Sequence, residues 1–248
     1  MQYDFSKDVY DIIIQGGQSN AEGCGIGSVD NPYQPCSEIL MMESDGAIKT
    51  AEENIWEGNT IGNFAFSFAN RYVNDGRLRS GRKLLILKSA VGGTSFYAKR
   101  WGLKDDLFLR MTEMLKASLA MNSDNRAVAF LWHQGESDTQ LPDRDIHYRN
   151  LTALVKSVRQ TASQKDLPFI AGDFVPLWYK DNEEICKPIV TAIRDVCSDI
   201  GNAAFVETEG LQSNSEKVGN DDTIHFSREA LYQLGERYYD EFCKLCMK

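Results

Sequence analysis

The chain has 248 residues, of which 42% are hydrophobic and 25% are charged, and its formal net charge is −9. This length fits one domain of ordinary α/β size, and the composition is that of a soluble protein with a substantial core. The negative charge argues against nucleic acid as a partner, because binding to phosphates requires a basic face. The basic cluster GRLRSGRK at 76–83 is short and leads into a predicted strand, so we interpret it as a solvated turn. No apolar run approaches the roughly 20 residues that span a bilayer, so no membrane partner is expected.

The N-terminus and the cysteines bear on the compartment of the protein. Residues 1–11 lack the basic and apolar segments of a signal peptide, which predicts a cytoplasmic location, or a secreted or periplasmic one if a leader was removed. The pair Cys243-x-x-Cys246 falls in the last helical pattern, where a zinc or redox site is the less favoured interpretation. Six cysteines lie scattered without a disulfide framework and are expected to be reduced thiols: Cys24, Cys36, Cys186, Cys197, Cys243 and Cys246.

Short β-rich apolar runs alternate with amphipathic helical stretches along the chain. The predicted strands are 9–14, 38–42, 83–90, 127–134, 168–175 and the short 203–207. The predicted helices are 61–73, 105–121, 144–163, about 181–200 and about 227–246. Strands that read as continuous apolar runs are buried on both faces, and their alternation with helices indicates parallel crossovers. The sequence therefore predicts a single domain, 1–248, with a doubly wound α/β sandwich.

Polar segments follow the ends of the predicted strands. In doubly wound folds the active crevice lies outside the carboxyl ends of the strands, so these exits are expected to meet. The segments are GGQSN at 16–20, SAVGGTS at 89–95, HQGESD at 133–138 and, in a late loop, GNDDTIHFS at 219–227. Together they predict a functional site at one edge of the sheet.

Ser19 stands on the turn after the first strand and needs a base to become a nucleophile. His225 is the favoured base, since Asp222 lies three residues before it and can accept the Nδ1–H of the ring. His133, at a strand end, is interpreted either as a site residue or as a packed polar group. His147 falls in the middle of a helical pattern and is expected on the surface. The alternatives are that Ser19 only caps a helix and that Asp222 belongs to an ordinary acidic loop.

These segments carry a resemblance. GQSN after the first strand and DTIH before the last helix resemble the SGNH hydrolases, and in particular the carbohydrate esterases that include sialate O-acetylesterases and acetylxylan esterases. The similarity covers almost the whole chain in order, with Gly92-Gly93-Thr94 as the second block and HQGESD as the third. Gln18 stands where many relatives have Asp, and Gln134 replaces the usual Asn. Both departures are shared with the carbohydrate-esterase branch.

The resemblance implies a three-layer α/β/α sandwich around a doubly wound, mainly parallel five-stranded sheet. It also implies a serine esterase that removes O-acetyl groups from carbohydrates through an acyl-enzyme on Ser19, with His225 as base, Asp222 as its orienting carboxylate and no metal or organic cofactor. The implied oxyanion donors are the N–H groups of Ser19 and Gly93 and the side-chain amide of Gln134. The residues implied around them are Gln18, Asn20, Gly92, Thr94, His133 and Glu136.

The residues alone leave four other functions open. An α/β-hydrolase would need a G-x-S-x-G elbow, and position 21 is Ala. A nucleotide-binding loop would use the glycines at 16, 17, 23 and 25, but no G-x-G-x-x-G begins at the strand end. A metal hydrolase would use His133, Glu136 and Asp138, without a supporting helical spacing. A non-catalytic sugar-binding protein would keep the crevice and lose the chemistry.

The expected partner is an acetylated sugar or oligosaccharide, such as an acetylxylan fragment or a sialate. The aromatic side chains near the crevice either stack on sugar rings or pack on the sheet: Phe96, Tyr97, Trp101 and Trp178. Arg100 either meets the carboxylate of a sialic acid or lies in a solvated loop. The oligomeric state is not predicted.

Overall fold

A seven-stranded sheet forms the centre of the fold. The structure is a computed structural model and describes residues 4–247. The strands are β1 (Val9–Gly17), β2 (Ile39–Met42), β3 (Ile48–Thr50), β4 (Asn54–Trp56), β5 (Asn59–Ile61), β6 (Arg82–Ala90), β7 (Arg126–His133), β8 (Phe169–Gly172) and β9 (Ala203–Val206). Their order in the main sheet is β3-β2-β6-β1-β7-β8-β9. All neighbours are parallel except β2 and β3.

The six predicted strands are confirmed, but the expected five-stranded sheet is wrong because the sheet has seven strands. The additional edge strand β3 has the sequence Ile-Lys-Thr and carries no apolar run. It forms by antiparallel pairing with β2, a contact that does not require burial on both faces. A separate hairpin of β4 and β5 was also not predicted. Its turn uses Glu57 and Gly58, both with positive φ (47° and 79°).

Helices cover both faces of the sheet, as the sequence predicts. The five long helices are α2 (Phe64–Asn74), α3 (Asp106–Ala120), α4 (Arg144–Thr161), α6 (Glu183–Asp199) and α8 (Arg228–Cys246). The short ones are α1 (Ser19–Glu22), α5 (Pro176–Asp181) and α7 (Asn214–Val218). The apolar residues of α3, α4 and α6 share one core cluster, and those of α2 and α8 share the other.

Strand β1 lies in the middle of the sheet because its side chains are apolar on both faces. Ile12 and Ile14 belong to one core cluster and Ile13 to the other, and all three are fully buried. The last residue, Gly17, pairs with Ala90 at the end of β6 and with His133 at the end of β7. The first three polar segments of the sequence therefore meet at the carboxyl edge of the sheet.

His147 corrects one expectation, because it is buried rather than on the surface, with only 2% of its area exposed. Its ring packs edge-on against Phe96 and lies 3.6 Å from Asp138 Oδ2. The buried side of α4 also includes Leu151, Leu154 and Val158, at helical spacing from His147. The signal was thus present in the sequence as the position of His147 on the apolar stripe.

The cysteines are unpaired, as predicted: all six are free, and Cys186 and Cys197 are buried in the core. Among residues 4–247, no helix combines the length and the apolar character needed to cross a membrane.

Candidate active site

The turn after β1 places Ser19 at the sheet edge. Gly17 has φ +135°, and a Cβ there would lie 2.0 Å from the carbonyl oxygen of His133, so only glycine fits. The next amide, Gln18 N–H, donates to that same carbonyl over 3.0 Å. Ser19 then begins α1 and is 8% exposed.

Ser19, His225 and Asp222 form a continuous hydrogen-bonded chain. His225 Nε2 lies 2.9 Å from Ser19 Oγ, and His225 Nδ1 lies 2.9 Å from both carboxylate oxygens of Asp222. The carboxylate can only accept from the ring at neutral pH, so Nδ1 carries the proton and Nε2 is left as the acceptor for the serine hydroxyl. The structure thus brings together the three residues that the sequence singles out, from positions 206 residues apart. This is the geometry of serine hydrolases.

Asn214 holds the acid of this chain in place. Its Nδ2 donates to Asp222 Oδ2 (2.9 Å) and to the carbonyl of Cys24 (3.0 Å), while its Oδ1 accepts from the N–H of Ile26. Partial burial raises the pKa of Asp222, but the hydrogen bonds from His225 and Asn214 outweigh that effect and hold the pKa below its ordinary value. The carboxylate therefore stays ionised at neutral pH.

The second block lies directly beside the serine. A Cβ on Gly92 would be 3.5 Å from Ser19 Cβ, and the Gly92 N–H donates to Glu22 Oε2 over 2.7 Å. Gly93 has φ +68°, and its N–H has no hydrogen-bond partner among the described residues. Thr94 fixes the loop, because its hydroxyl donates to Val91 O (2.6 Å) and accepts from the indole of the buried Trp101 (3.0 Å). A free amide at position 93 thus stands on a fixed turn.

Gln134 is buried at the end of β7, and its amide protons have partners within the protein. Nε2 lies 2.7 Å from Asp138 Oδ2, 3.2 Å from Thr94 O and 3.4 Å from Gln18 Oε1. An amide carries two protons, so the two shorter contacts occupy both. The oxyanion role of Gln134 stays a prediction and would require Nε2 to release the Thr94 carbonyl. Asp138 also accepts from the N–H groups of Phe96 and Tyr97, and so ties the second and third blocks together.

The remaining predicted residues form a buried polar cluster behind the serine. Asn20 Nδ2 donates to Glu136 Oε1 (2.7 Å) and to Ile224 O (3.1 Å), and its Oδ1 accepts from Phe226 N–H (3.0 Å). Glu136 and His133 are almost completely buried. His133 lies outside the hydrogen-bonded chain of Ser19, His225 and Asp222. It is held by Tyr238, whose hydroxyl lies 3.0 Å from Nδ1.

The residues of the metal alternative do not converge. His133 Nε2 lies 3.7 Å from Glu136 Oε1, whereas Asp138 is directed at Gln134 and the 96–97 backbone. Within residues 4–247 no group of three or more His, Cys, Asp or Glu side chains is placed to hold a metal ion.

Of the two interpretations of the aromatic residues near the crevice, packing within the fold applies to three of the four. Trp101 is fully buried and Phe96 is 8% exposed, both in the core, and Trp178 packs against Phe174. Tyr97 is 56% exposed. Arg100 forms a two-bond ion pair with Asp106 (2.8 and 2.9 Å), so its guanidinium is already engaged.

A cleft of about 560 Å³ opens beside the triad, and the β4–β5 hairpin forms its outer wall. The hairpin carries two large exposed apolar side chains, Ile55 (76% exposed) and Trp56 (68% exposed). His225, Asp222 and Asn214 line the inner side of the same cleft, together with the cation Lys88. The sequence does not predict a role for Trp56, because the polar 54–61 segment lacks strand periodicity. It does not predict one for Asn214 either, because nothing local in the sequence indicates a contact with Asp222.

The chain matches one protein family over most of its length. The family described as carbohydrate esterase, sialic acid-specific acetylesterase, matches residues 9–244. The chain therefore belongs to this family, which confirms the resemblance inferred from its four blocks.

Individual relatives agree with this class. A probable 9-O-acetyl-N-acetylneuraminic acid deacetylase of Escherichia coli (strain K12) is 30% identical over 98 residues, which cover 36% of this chain and 30% of that protein. The match thus spans less than a third of the curated relative. The crystal structure of NanS superposes with a TM-score of 0.80 at 18% identity, covering 97% of this chain and 98% of that one. A carbohydrate acetylesterase from Xanthomonas citri superposes with a TM-score of 0.61 at 14% identity, covering 93% of this chain and 55% of that one. At these identities the two structures establish the fold.

Proposed function

We propose that the protein is a carbohydrate O-acetylesterase that hydrolyses acetyl esters of sugars through an acyl-enzyme on Ser19. The observation that carries the proposal is the hydrogen-bonded chain of Ser19 Oγ, His225 and Asp222 at the carboxyl edge of the sheet. Membership in the carbohydrate esterase family supports the substrate class. The direct test is acetate release from a panel of acetylated xylan fragments, sialates and other O-acetyl sugars. Binding of these sugars without acetate release would favour a non-catalytic sugar-binding protein instead.

The proposed reaction uses one base for two proton transfers. His225 Nε2 takes the proton from Ser19 Oγ as the oxygen attacks the acetyl carbonyl carbon. When the tetrahedral intermediate collapses, the bond from that carbon to the sugar oxygen breaks, and His225 gives the proton to the departing sugar hydroxyl. Water then attacks the acetyl-serine with His225 again as base, and acetate leaves. Asp222 stabilises the imidazolium formed in each half.

Backbone donors supply the oxyanion site in this proposal. The donors in this proposal are the N–H of Ser19 and the unpartnered N–H of Gly93, whose neighbour Gly92 lies beside Ser19, and each donor of this kind contributes about 3 kcal/mol to the transition state. Their dipoles are fixed before the substrate binds, so the developing charge requires little reorganisation.

Replacement of Gln134 tests whether a third donor exists. If Nε2 releases Thr94 O and donates to the oxyanion, Gln134→Ala is expected to lower kcat on p-nitrophenyl acetate by about 10² to 10³ with little change in KM. This substrate carries no sugar, so any role of Gln134 in binding hydroxyl groups drops out of the measurement. A Gln134→Ala enzyme at wild-type kcat on p-nitrophenyl acetate would limit the oxyanion site to the two backbone amides.

The cleft under the hairpin is the proposed sugar site. Its volume of about 560 Å³ accommodates a small ligand, and it contains both the reactive histidine and the exposed face of Trp56. Sugar rings present C–H faces that pack well on indole. Lys88 also lines the cleft, and its ammonium group would face a carboxylate on a substrate such as a sialate.

Removal of the Trp56 ring is expected to weaken sugar binding and spare the chemistry. Trp56→Ala should raise KM for acetylated sugars by about tenfold, corresponding to roughly 1.4 kcal/mol of lost ring contact, with kcat/KM on p-nitrophenyl acetate nearly unchanged. Tyr97→Ala is the matched control, because Tyr97 is also a half-exposed aromatic but lies outside this cleft. An equal rise in KM for both variants would contradict the assignment of the sugar site.

A further inference from the structure

The cluster behind the serine contains two buried titratable groups that the proposed reaction does not use. Glu136 and His133 lie side by side, with His133 Nε2 3.7 Å from Glu136 Oε1, and neither side chain has measurable exposed area. Two atoms of this pair have no hydrogen-bond partner among the described residues, namely His133 Nε2 and Glu136 Oε2.

The hydrogen bonds of Tyr238 determine which nitrogen of His133 carries the proton. The hydroxyl of Tyr238 donates its only proton to the carbonyl of Trp132 over 2.9 Å, so at its 3.0 Å contact with His133 it accepts from Nδ1–H. A neutral histidine with its proton on Nδ1 presents a bare lone pair at Nε2. An ionised Glu136 would add a second pure acceptor facing that lone pair, in a site without water access, and this is a costly combination. One proton shared by the pair removes the conflict, and full burial favours the neutral pair, with the proton on the Glu136 carboxyl, over an imidazolium and a carboxylate that would both have to be desolvated. The acid O–H then faces Nε2 across a distance longer than a hydrogen bond.

Glu136 also connects to the catalytic loop through Asn20. Glu136 Oε1 accepts from Asn20 Nδ2, and the Asn20 amide spans His225 by bonding the carbonyl of residue 224 and the N–H of residue 226. The amide can hold both sides of the loop only if its own orientation is fixed. The contact with Glu136 supplies that orientation.

We propose that Glu136 is a positioning residue that carries a proton in the folded protein, and that as a neutral carboxylic acid it orients Asn20 and thereby holds His225 in line with Ser19. The inference rests on the proposed function, since it takes His225 to be the base. Burial raises the pKa of Glu136 above its ordinary value, against the Asn20 hydrogen bond, and burial lowers the pKa of His133 to about 3. Both directions agree with a neutral pair.

The titratable groups that face Glu136 come from several elements around it. They are His133 of β7, Asp138, His225, Cys186 of α6, Tyr238 of α8 and Cys24. The nearby Asp138 carboxylate opposes ionisation of Glu136, and a protonated His225 would favour it.

The test compares Glu136→Gln with Glu136→Ala on p-nitrophenyl acetate. Glutamine reproduces a neutral acid in shape and still offers an oxygen to Asn20, so its kcat is expected to stay close to that of the wild type. Alanine leaves the Asn20 amide without its partner, and the resulting displacement of His225 is expected to lower kcat by up to about 10²-fold with little change in KM. A Gln variant as inactive as the Ala variant would overturn the proposal, because it would show that the charge is required.

A second readout depends on the proton alone. Above the ordinary carboxyl pKa of about 4.3 the unfolded chain ionises Glu136, whereas the folded protein keeps the proton, so wild-type stability is lost as pH rises. The folding constant of Glu136→Gln relative to wild type is therefore expected to grow about tenfold per pH unit between pH 5 and the raised pKa, in urea titrations. Glu113→Gln, at an exposed position of α3, serves as the control. A ratio that stays constant with pH would overturn the proposal.

Two of the three readouts, the urea titrations and infrared spectroscopy, separate this inference from the function on which it rests. Infrared difference spectra of wild type against Glu136→Gln should also contain the carbonyl band of a protonated acid, and a carboxylate band instead would overturn the proposal. These measurements and the urea titrations do not depend on catalysis. An active Ser19→Ala enzyme would overturn the proposed function while leaving the protonation of Glu136 open to the same test.

Discussion

Ser19→Ala is expected to lower kcat for acetyl ester hydrolysis by about 10⁴ to 10⁶ while leaving the fold intact. Among the residues that the structure describes, the Ser19 hydroxyl bonds to His225, so its removal deletes the nucleophile and that one contact while the Cβ stays in place. Steady-state kinetics on p-nitrophenyl acetate give the measurement, with circular dichroism and thermal unfolding to check the fold.

Ser89→Ala is the matched control for this variant. Ser89 lies on β6 and pairs with Gly16 of β1, which stands three residues before Ser19. Its buried hydroxyl has no hydrogen-bond partner among the described residues. The same chemical change at position 89 is expected to leave kcat unchanged. If Ser19→Ala hydrolysed the ester at a rate close to that of the control, the Ser19 mechanism would be wrong.

His225→Ala is expected to cost nearly as much as Ser19→Ala, because the hydroxyl cannot lose its proton without the base and the two residues act as a unit. The double variant should therefore be no slower than either single variant. Asp222→Asn should cost less than His225→Ala, since the base remains while its tautomer and orientation suffer. Single-turnover kinetics of Ser19→Ala, His225→Ala, the double variant and Asp222→Asn provide the comparison.

Variants of His133 test the assignment of His225 as the base. It is fully buried, and its Nδ1 contacts Tyr238 rather than the serine. An enzyme that stayed active after His225→Ala and became inactive after a change at His133 that preserved folding would contradict the assignment of His225.

The sequence predicts those parts of the fold and of the site that depend on residues close together in the chain. Strand β1 has a continuous apolar run ending in two glycines, and Gly17 is required by a backbone contact that a Cβ would violate. The Asp222-x-x-His225 spacing likewise allows a side-chain hydrogen bond within one loop, so the two residues could be paired before the fold was known. The fold class followed from the alternation of strands and helices.

The features that the sequence did not predict depend on contacts between distant segments. The edge strand β3 owes its conformation to β2, and the hairpin with Trp56 owes its position to a backbone bridge between Gly25 and Gly62. The sequence predicts that the Gln134 amide donates to the oxyanion, and it does not show the contact with Asp138, four residues later on a 3-10 turn, which accepts one of the two amide protons. His147 is buried because it lies on the apolar stripe of α4, although the polarity of its side chain favours a surface position.

Covalent labelling of Ser19 tests the central claim most directly. A serine-directed organophosphonate reacts when an activated serine oxygen attacks phosphorus and displaces the leaving group, and the added mass can be located by peptide mass spectrometry. The account predicts that the mass appears on the peptide containing Ser19, in proportion to the activity lost, and that His225→Ala prevents the labelling. A label on another peptide, or a fully labelled Ser19 in an enzyme that still releases acetate, would contradict it.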